Sequence, residues 1–404
     1  MRILTISALF PPNIVGGAEM SAWNFARWLV QQGHEVGVLT SANSEADVLH
    51  GDMVDGLRTW RLTTPHIYPV KAAQQVGGWR KPVWHLQDHF DPRNEILVNH
   101  VLDEFQPDHV NIHMAQGMGH NILKCFEGRD VSVVMFLHDL NLACIKTTMY
   151  KNGGNCTGHC KPCAVSAKVK YGYMKNVVKL GLCSPSRANL ETVANFFPVR
   201  NFKNTDILDA NTYPQPTVER VEADYLRILF AGRIHSTKGI DLLLEVLSEL
   251  AADHQFSITI AGRGTDEEAL RARYGNERWC HFAGFIPQTE LSNLIENSDV
   301  LCVPSIWAEN SPGVAIHALS QGLPVLASNR GGIPELVDDG RSGALLPPGD
   351  HAAWKAMLKK LLEDRVLLNG WRAYATEHKA RFNQDTIGQE ILSFIHDLRE
   401  GRPL

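Results

Sequence analysis

The chain has 404 residues, of which 44% are hydrophobic and 21% charged, with a formal net charge of −5. That length exceeds one usual core and predicts two domains. The composition is that of a globular protein, the mildly acidic balance gives no reason to expect nucleic acid, and no apolar run reaches the length of a membrane span. Residues 1–12 are too soon broken by Pro11 and Pro12 for a secretory signal, so a cytoplasmic location is expected, and the eight cysteines read as reduced thiols or metal ligands rather than disulfides.

Residues 2–7 alternate around Ile3, Leu4 and Ile6 and predict a buried strand. A loop containing Pro11, Pro12, Gly16 and Gly17 follows, then a helix over 18–32 with Met20, Trp23, Phe25, Leu29 and Val30 at apolar spacing. Gly33 ends it, and 35–40 predict the next strand. This order, strand, glycine loop, helix, strand, is that of doubly wound nucleotide-type domains. Paired glycines at a helix start let a ligand approach the backbone, although the pair alone also fits a tight turn with no ligand.

Further strands are predicted at 57–62, 108–113 and 131–137, and helices from about 94 to 105 and near 121–126. Residues 65–94, rich in Trp, His, Gln and Pro and without a clean period, read as surface loops. His138 and Asp139 follow the strand at 131–137 at its carboxyl end, the edge where open α/β sheets bind ligands. The alternative for His138 is a cap on a neighbouring turn. An insertion, 140–175, comes next. Cys144, Cys156, Cys160 and Cys163, with Gly and Pro turns between them, can converge on one tetrahedral ion such as structural zinc, or remain free thiols in a flexible loop; His159 is a lesser ligand candidate. The basic stretch 168–179, with Tyr171, Tyr173 and Met174, reads as an amphipathic helix near an acceptor or a membrane surface, or as a plain solvated helix. Strand 180–184 and helix 186–195 complete a first domain, 1–202. Residues 203–225, polar and aperiodic with Pro214 and Pro216, are the expected linker.

A second α/β series fills 226–384. Strand 226–231 leads into a loop with Arg233 and Lys238, followed by helix 240–252, strand 256–261, the loop Gly262-Arg263-Gly264, and strands near 279–283 and 300–303. Two cations between a strand's carboxyl end and a helix start suit a diphosphate: Arg binds bidentately and Lys acts as a point charge. Residues 309–322 then read Glu-Asn-Ser-Pro-Gly-Val-Ala-Ile-His-Ala-Leu-Ser-Gln-Gly. Ser311 is the expected N-cap, Pro312 the first helical residue, and Gly322 lies just past the end, so a helix is predicted over about 312–321 between strands 300–303 and 324–327. Glu309 therefore sits beside bare helix-start N–H groups, which suits a ligand with hydroxyls at one end and phosphate at the other. Taken alone, the stretch also fits an ordinary strand–loop–helix unit.

Several motifs together resemble the retaining GT-B glycosyltransferases of family four, over nearly the whole chain. They are Pro11-Pro12 through Gly16-Gly17-Ala18-Glu19 with Gly33-His34-Glu35-Val36; Phe230-Ala231-Gly232-Arg233 with Lys238-Gly239; Ala283-Gly284-Phe285-Ile286; Gly322-Leu323-Pro324-Val325; and Gly331-Gly332-Ile333-Pro334-Glu335. The resemblance implies an α/β, GT-B architecture: two Rossmann-like doubly wound domains facing a cleft, with a final helix, 385–404, crossing back to the first. It implies a UDP- or GDP-linked sugar as donor, a carbohydrate or lipid-linked acceptor, retaining and metal-independent transfer with no catalytic cofactor, and a role in polysaccharide or glycolipid synthesis with peripheral contact at the inner face of a membrane. By the same resemblance Glu309 contacts donor sugar hydroxyls and Arg233 and Lys238 hold the diphosphate. Ser311, Gly313 and Val314 offer backbone N–H groups, and Phe285 and Ile286 meet the nucleobase. Gly16, Gly17 and Gly262 belong to the donor site, and His138 lies at the acceptor side of the sugar. The family usually carries a second glutamate eight positions after the first. Here that position is His317, which is expected to line the nucleotide pocket and accept one ribose bond, with less capacity than a carboxylate. The departure motivates a second expectation, a non-catalytic GT-B scaffold subunit of a glycosylation complex. An epimerase or phosphorylase of similar architecture is a third.

Overall fold

The structure, a computed structural model, describes residues 1–42, 47–73, 76–151 and 154–401. The chain forms two units, Met1–Asn211 with Gln384–Leu404, and Thr212–Asn383.

The strands of the first unit are β1 (Arg2–Ser7), β2 (Glu35–Ser41), β3 (Val48–Val54), β4 (Leu57–Leu62), β5 (His109–Met114), β6 (Ser132–Phe136), β7 (Tyr150–Lys151), β8 (Gly154–Asn155), β9 (Leu180–Ser184) and β10 (Lys203–Asp206). Eight of them form one sheet in the order β10-β9-β6-β5-β1-β2-β4-β3, and β7 and β8 make a separate hairpin. Pairing in the large sheet is parallel except at the β3 edge, where β3 runs antiparallel to β4. Its helices are α1 (Gly17–Gln31), α2 (Arg80–Phe90), α3 (Arg93–Phe105), α4 (Lys161–Met174) and α5 (Arg187–Ala194). A parallel sheet is apolar on both faces because side chains alternate across it. Leu4, Ile6, Leu39, Val133 and Leu182 bury with α3 residues on one face. Ile3, Val36, Val38, Val134 and Cys183 bury with Phe25 and Trp28 of α1 in a separate core.

The second unit contains β11 (Leu226–Ala231), β12 (Phe256–Ala261), β13 (Cys280–Gly284), β14 (Val300–Val303), β15 (Val325–Ser328) and β16 (Gly343–Leu346), with α6 (Ile240–Leu250), α7 (Glu267–Tyr274), α8 (Gln288–Glu296), α9 (Gly313–Ser320), α10 (His351–Glu363) and α11 (Arg365–His378). The sheet is wholly parallel in the order β13-β12-β11-β14-β15-β16. This is a Rossmann order: the chain winds outward one way from β11 and the other way from β14. The loops after these two adjacent strands lie at the switch point, the edge of an open α/β sheet where ligands bind. The last helix, α12 (Gln384–Arg399), returns to the first unit, where Ile387, Ile391, Phe394, Ile395 and Leu398 join the α1 core. No helix among the described residues is long and apolar enough to cross a membrane.

Several expectations need correction. Residues 80–90, expected as surface loop, form α2. Its buried side chains are Trp84, Asp88 and His89, and two polar residues on the inner face hide the helical period. The edge strand β3 was not anticipated; its side chains are mostly exposed, so it shows no apolar alternation. Residues 203–206, expected to open the linker, form β10, and the unit boundary falls after Asn211. The expected helix at 121–126 is a 3₁₀ segment, His120–Phe126. The basic helix begins at Lys161 and ends at Met174, and Lys170 on it is buried, donating to the Asn141 carbonyl at 2.5 Å. Residues 152 and 153 of the insertion and 402–404 of the final helix lie outside the described residues.

Gly388 marks the closest approach of α12 to α1, because a Cβ there would stand 2.7 Å from the Trp28 ring. Trp28 is itself pinned by its indole N–H, which donates to Asp385 at 2.7 Å. Gly388→Ala should therefore destabilise the protein by about 1–3 kcal/mol through overpacking, despite alanine's better helix propensity. Denaturant unfolding checks this, and a stabilised variant would show that the interface can give way.

Candidate functional site

Glu309 lies in the loop after β14, and Lys238 ends the 3₁₀ turn Ser236–Lys238 after β11, so the two loops at the switch point supply one charge each. Lys238 Nζ donates to Glu309 Oε1 at 2.5 Å. Ser305 Oγ and Trp307 Nε1 donate to the same oxygen at 2.6 and 2.8 Å. Glu309 is only 8% exposed, and its second oxygen, Oε2, receives no hydrogen bond from the described residues. The Lys238 ammonium also sits over the Trp307 ring, 5.1 Å from its centroid. The carboxylate is thereby oriented through one oxygen while the other remains available.

Backbone packing sets this geometry. Gly239 has φ of +68°, and a Cβ there would stand 2.0 Å from the Pro304 carbonyl, so only glycine lets the two loops touch. The Ile306 N–H donates to the Thr237 carbonyl at 2.9 Å and joins them. Gly331, φ +61°, packs against the Glu309 backbone, where a Cβ would meet its carbonyl oxygen at 2.1 Å, and the Gly332 N–H donates to that carbonyl at 2.9 Å.

Arg233 is exposed, and its guanidinium has no partner among the described residues. Lys238 is already engaged by Glu309, so the two expected diphosphate cations stand in different states. The helix α9 begins at Gly313, one residue later than expected. Pro312 is the N-cap, and Ser311 Oγ makes no capping bond and has no hydrogen-bond partner among the described residues. Gly313 is exposed and Val314 half-buried at the helix start, where the first N–H groups have no intrahelical acceptor. Phe285, 75% exposed, and Ile286, half-buried, follow β13, and Gly262 packs its backbone against the Gly232 carbonyl.

His317 differs most from expectation. It is 1% exposed; Nε2 lies 2.9 Å from Ser292 Oγ and 3.1 Å from Gln321 Nε2, and the ring stacks on Tyr213 with centroids 4.6 Å apart. Burial pushes its pKa down to about 4. The ring is thus packed inside the second unit, and the sequence spacing that put it one turn beyond Gly313 could not show Ser292 and Tyr213 closing over it.

In the first unit, Gly16 caps α1 and its N–H donates to Glu19 Oε2 at 3.0 Å, while the Cβ position of Gly17 is open. His138 sits beyond β6. Its Nδ1 lies 3.3 Å from Asp209 Oδ2, and its Nε2 lies 2.9 Å from His113 Nδ1. Ser21 Oγ donates to Asp209 at 3.1 Å and accepts from Asn211 Nδ2 at 3.1 Å. Burial pushes His138 down, but the carboxylates of Asp209, Asp139 and Glu19 outweigh it and leave the pKa raised. Burial, and then His138, hold His113 well below the usual value. Both His138 ring nitrogens are thus engaged, Nδ1 by Asp209 and Nε2 by His113. Ser305, Trp307, His113 and Asp209 were not singled out in the sequence. Asp209 fell in the expected linker, and the others lack a motif, although Trp307 stands two residues before Glu309.

Of the four insertion cysteines, three meet. Cys163 Sγ is 3.3 Å from Cys160 Sγ and 3.9 Å from Cys144 Sγ, a row with Cys163 in the middle rather than a closed triangle. Cys156 packs against the same apolar group.

Residues 215–378 match the family model described as Glycosyl transferases group 1, and 15–155 that described as Glycosyltransferase Family 4. An uncharacterized glycosyltransferase of Methanocaldococcus jannaschii is 23% identical over 97% of both chains. Among solved structures, a sucrose-phosphate synthase from Thermosynechococcus elongatus superposes with a TM-score of 0.76 at 17% identity over 99% of each chain. Anabaena HepE in complex with UDP gives 0.69 at 16% identity, covering 98% of this chain and all of that one.

The buried His317 has a stability consequence. Its folded pKa of about 4 lies below the ordinary imidazole value of about 6.5, so the unfolded chain binds the proton more readily between these values. The stability contribution is complete above about 6.5 and is lost as pH falls toward 4. Between pH 7 and pH 5 the wild type should lose on the order of 2 kcal/mol through this residue, and His317→Gln should lose that much less. Denaturant unfolding of both proteins at the two pH values measures the difference; equal losses would mean that the ring protonates freely in the folded state.

Proposed function

Because the chain is a GT-B glycosyltransferase of the family-four type, we propose that it transfers a sugar with retention from a nucleoside-diphosphate sugar to a carbohydrate or lipid-linked acceptor in polysaccharide or glycolipid synthesis. The observation that carries the donor assignment is Glu309, held through Oε1 by three donors while Oε2 receives none from the described residues. A carboxylate so held accepts hydrogen bonds from sugar hydroxyls through its other oxygen, and charge-assisted bonds of this kind are about twice as strong as neutral ones. The start of α9 lies four residues on, where first-turn N–H groups favour an anion such as diphosphate. Arg233, exposed and unengaged, supplies a guanidinium for the same group, and Lys238 turns part of its charge toward it when Glu309 takes up the sugar. Stabilising the departing diphosphate is the main electrostatic task in breaking the glycosidic bond. Phe285 offers an exposed ring for a base to stack on. UDP is the first nucleotide to test, since the HepE neighbour is described in complex with it. His138 lies on the first unit with its ring held between Asp209 and His113, and His317 supports α9 from within rather than touching ribose.

A thermal-shift screen over UDP- and GDP-sugars identifies the donor, because binding to the folded state alone raises its stability. Nucleotide release from that donor then reports turnover. Glu309→Ala should abolish turnover with the protein still folded, and wild-type turnover by the variant would defeat the assignment. Lys238→Ala and Arg233→Ala should each lower kcat roughly a hundredfold, from about 3 kcal/mol of lost charge stabilisation in the transition state. A change in KM alone would make their role ground-state binding. A folded protein that neither binds nor consumes any nucleotide sugar would support the scaffold reading instead.

A further inference from the structure

We propose that Cys144, Cys156, Cys160 and Cys163 form a tetrathiolate zinc site that ties the insertion to the first unit. Zinc in structural sites takes four thiolates at about 2.3 Å, which places neighbouring sulfurs ~3.8 Å apart. Cys163 already has sulfurs at 3.3 and 3.9 Å, both close to that spacing. Cys160 caps α4 and Cys163 is its third residue, so the first turn of that helix carries both thiols on one short stretch of backbone. Cys156 is returned to the group by the β7–β8 hairpin. Its N–H donates to the Met149 carbonyl at 2.7 Å, and its side chain packs with Cys144, Met149 and Cys163. Closing the site requires the sulfurs of the exposed Cys160 and the half-buried Cys156 to turn onto a common centre with the other two.

The insertion needs such a tie. From the end of β6 to the start of α4 its regular structure among the described residues is the two-residue pair β7 and β8, and an isolated hairpin is marginal in water. Its own buried core is Ala143, Cys144, Met149 and Cys163, half of it thiol. Within it Thr147 at φ +67° and Met149 at φ +46° hold left-handed conformations that are unfavourable for a β-branched or bulky side chain. Small cores of this kind are held by a metal or a disulfide. The site takes zinc as the divalent ion and releases the thiol protons to solvent; no electron is transferred.

The test is elemental analysis of the full chain purified under reducing conditions without added metal. About one zinc per chain is expected, released to a chromophoric chelator when a mercurial titrates the thiols. Cys156→Ser and Cys160→Ser should each lower the zinc content severalfold, while Cys125→Ser, outside the insertion, should keep it. Wild-type protein that stays metal-free after incubation with zinc and desalting would overturn the proposal. So would a native Cys160–Cys163 disulfide found by mass spectrometry, or full zinc retention by Cys156→Ser, which would remove the fourth ligand.

Discussion

The contact between Lys238 and Glu309 joins two loops that the topology of the second sheet sends in opposite directions. A carboxylate that is nearly buried needs a charged partner and hydrogen bonds to offset its lost hydration, and Lys238, Ser305 and Trp307 provide them on one oxygen. Removing one partner of a buried pair typically costs about 3–5 kcal/mol because the other charge is left stranded. Most of what surrounds the pair fits this requirement. Gly239 permits the loops to touch, Gly331 and Gly332 fix the Glu309 backbone from the far side, and the parallel order β11-β14 puts both loops at the same edge. The arrangement also couples functions: the lysine that neutralises the carboxylate stands where it can respond when a ligand takes up that carboxylate.

Much of this was legible in the sequence. The buried strands of both sheets apart from β16, the glycine loops and the placement of Glu309 between a strand and a helix follow from apolar periodicity and from residues with one physical use, glycine and proline. What could not be read is instructive. The pairing of Lys238 with Glu309 crosses 71 positions, and nothing local distinguishes a lysine waiting for phosphate from one already holding a carboxylate. His317 occupied a motif position, yet its environment is set by Ser292 and Tyr213 from distant parts of the unit. α2 was missed because Asp88 and His89 turn inward, which only a buried polar network permits, and β3 because an exposed edge strand has no apolar alternation to show.

The first unit relies on buried polar groups to a degree that its apolar pattern does not suggest. Asp88 is fully buried; it accepts the Gly117 N–H at 2.7 Å and has His66 and His120 each at 3.3 Å. Burial alone would raise its pKa, but these neighbours outweigh it and hold the carboxyl down at about 2. Together with the chain from His113 through His138 and Asp209 to Ser21, this sets buried polar groups among the apolar side chains of the first unit. Such networks specify one arrangement when each member is satisfied and are costly when a member is lost.

The return of α12 to the first unit has a consequence for how the molecule is made. Trp28, Val134 and Phe136 share their core with Ile391, Phe394 and Ile395, which lie beyond the whole of the second unit in the chain. A ribosome adding about 5–20 residues per second reaches α12 roughly ten to forty seconds after it finishes Asn211. During that interval the part of this face that α12 covers, beside α1, stays bare, while the second unit, contiguous in sequence, can close as soon as it emerges. The order of synthesis thus makes the N-terminal half the last to mature, and it makes that uncovered face the natural client of a chaperone.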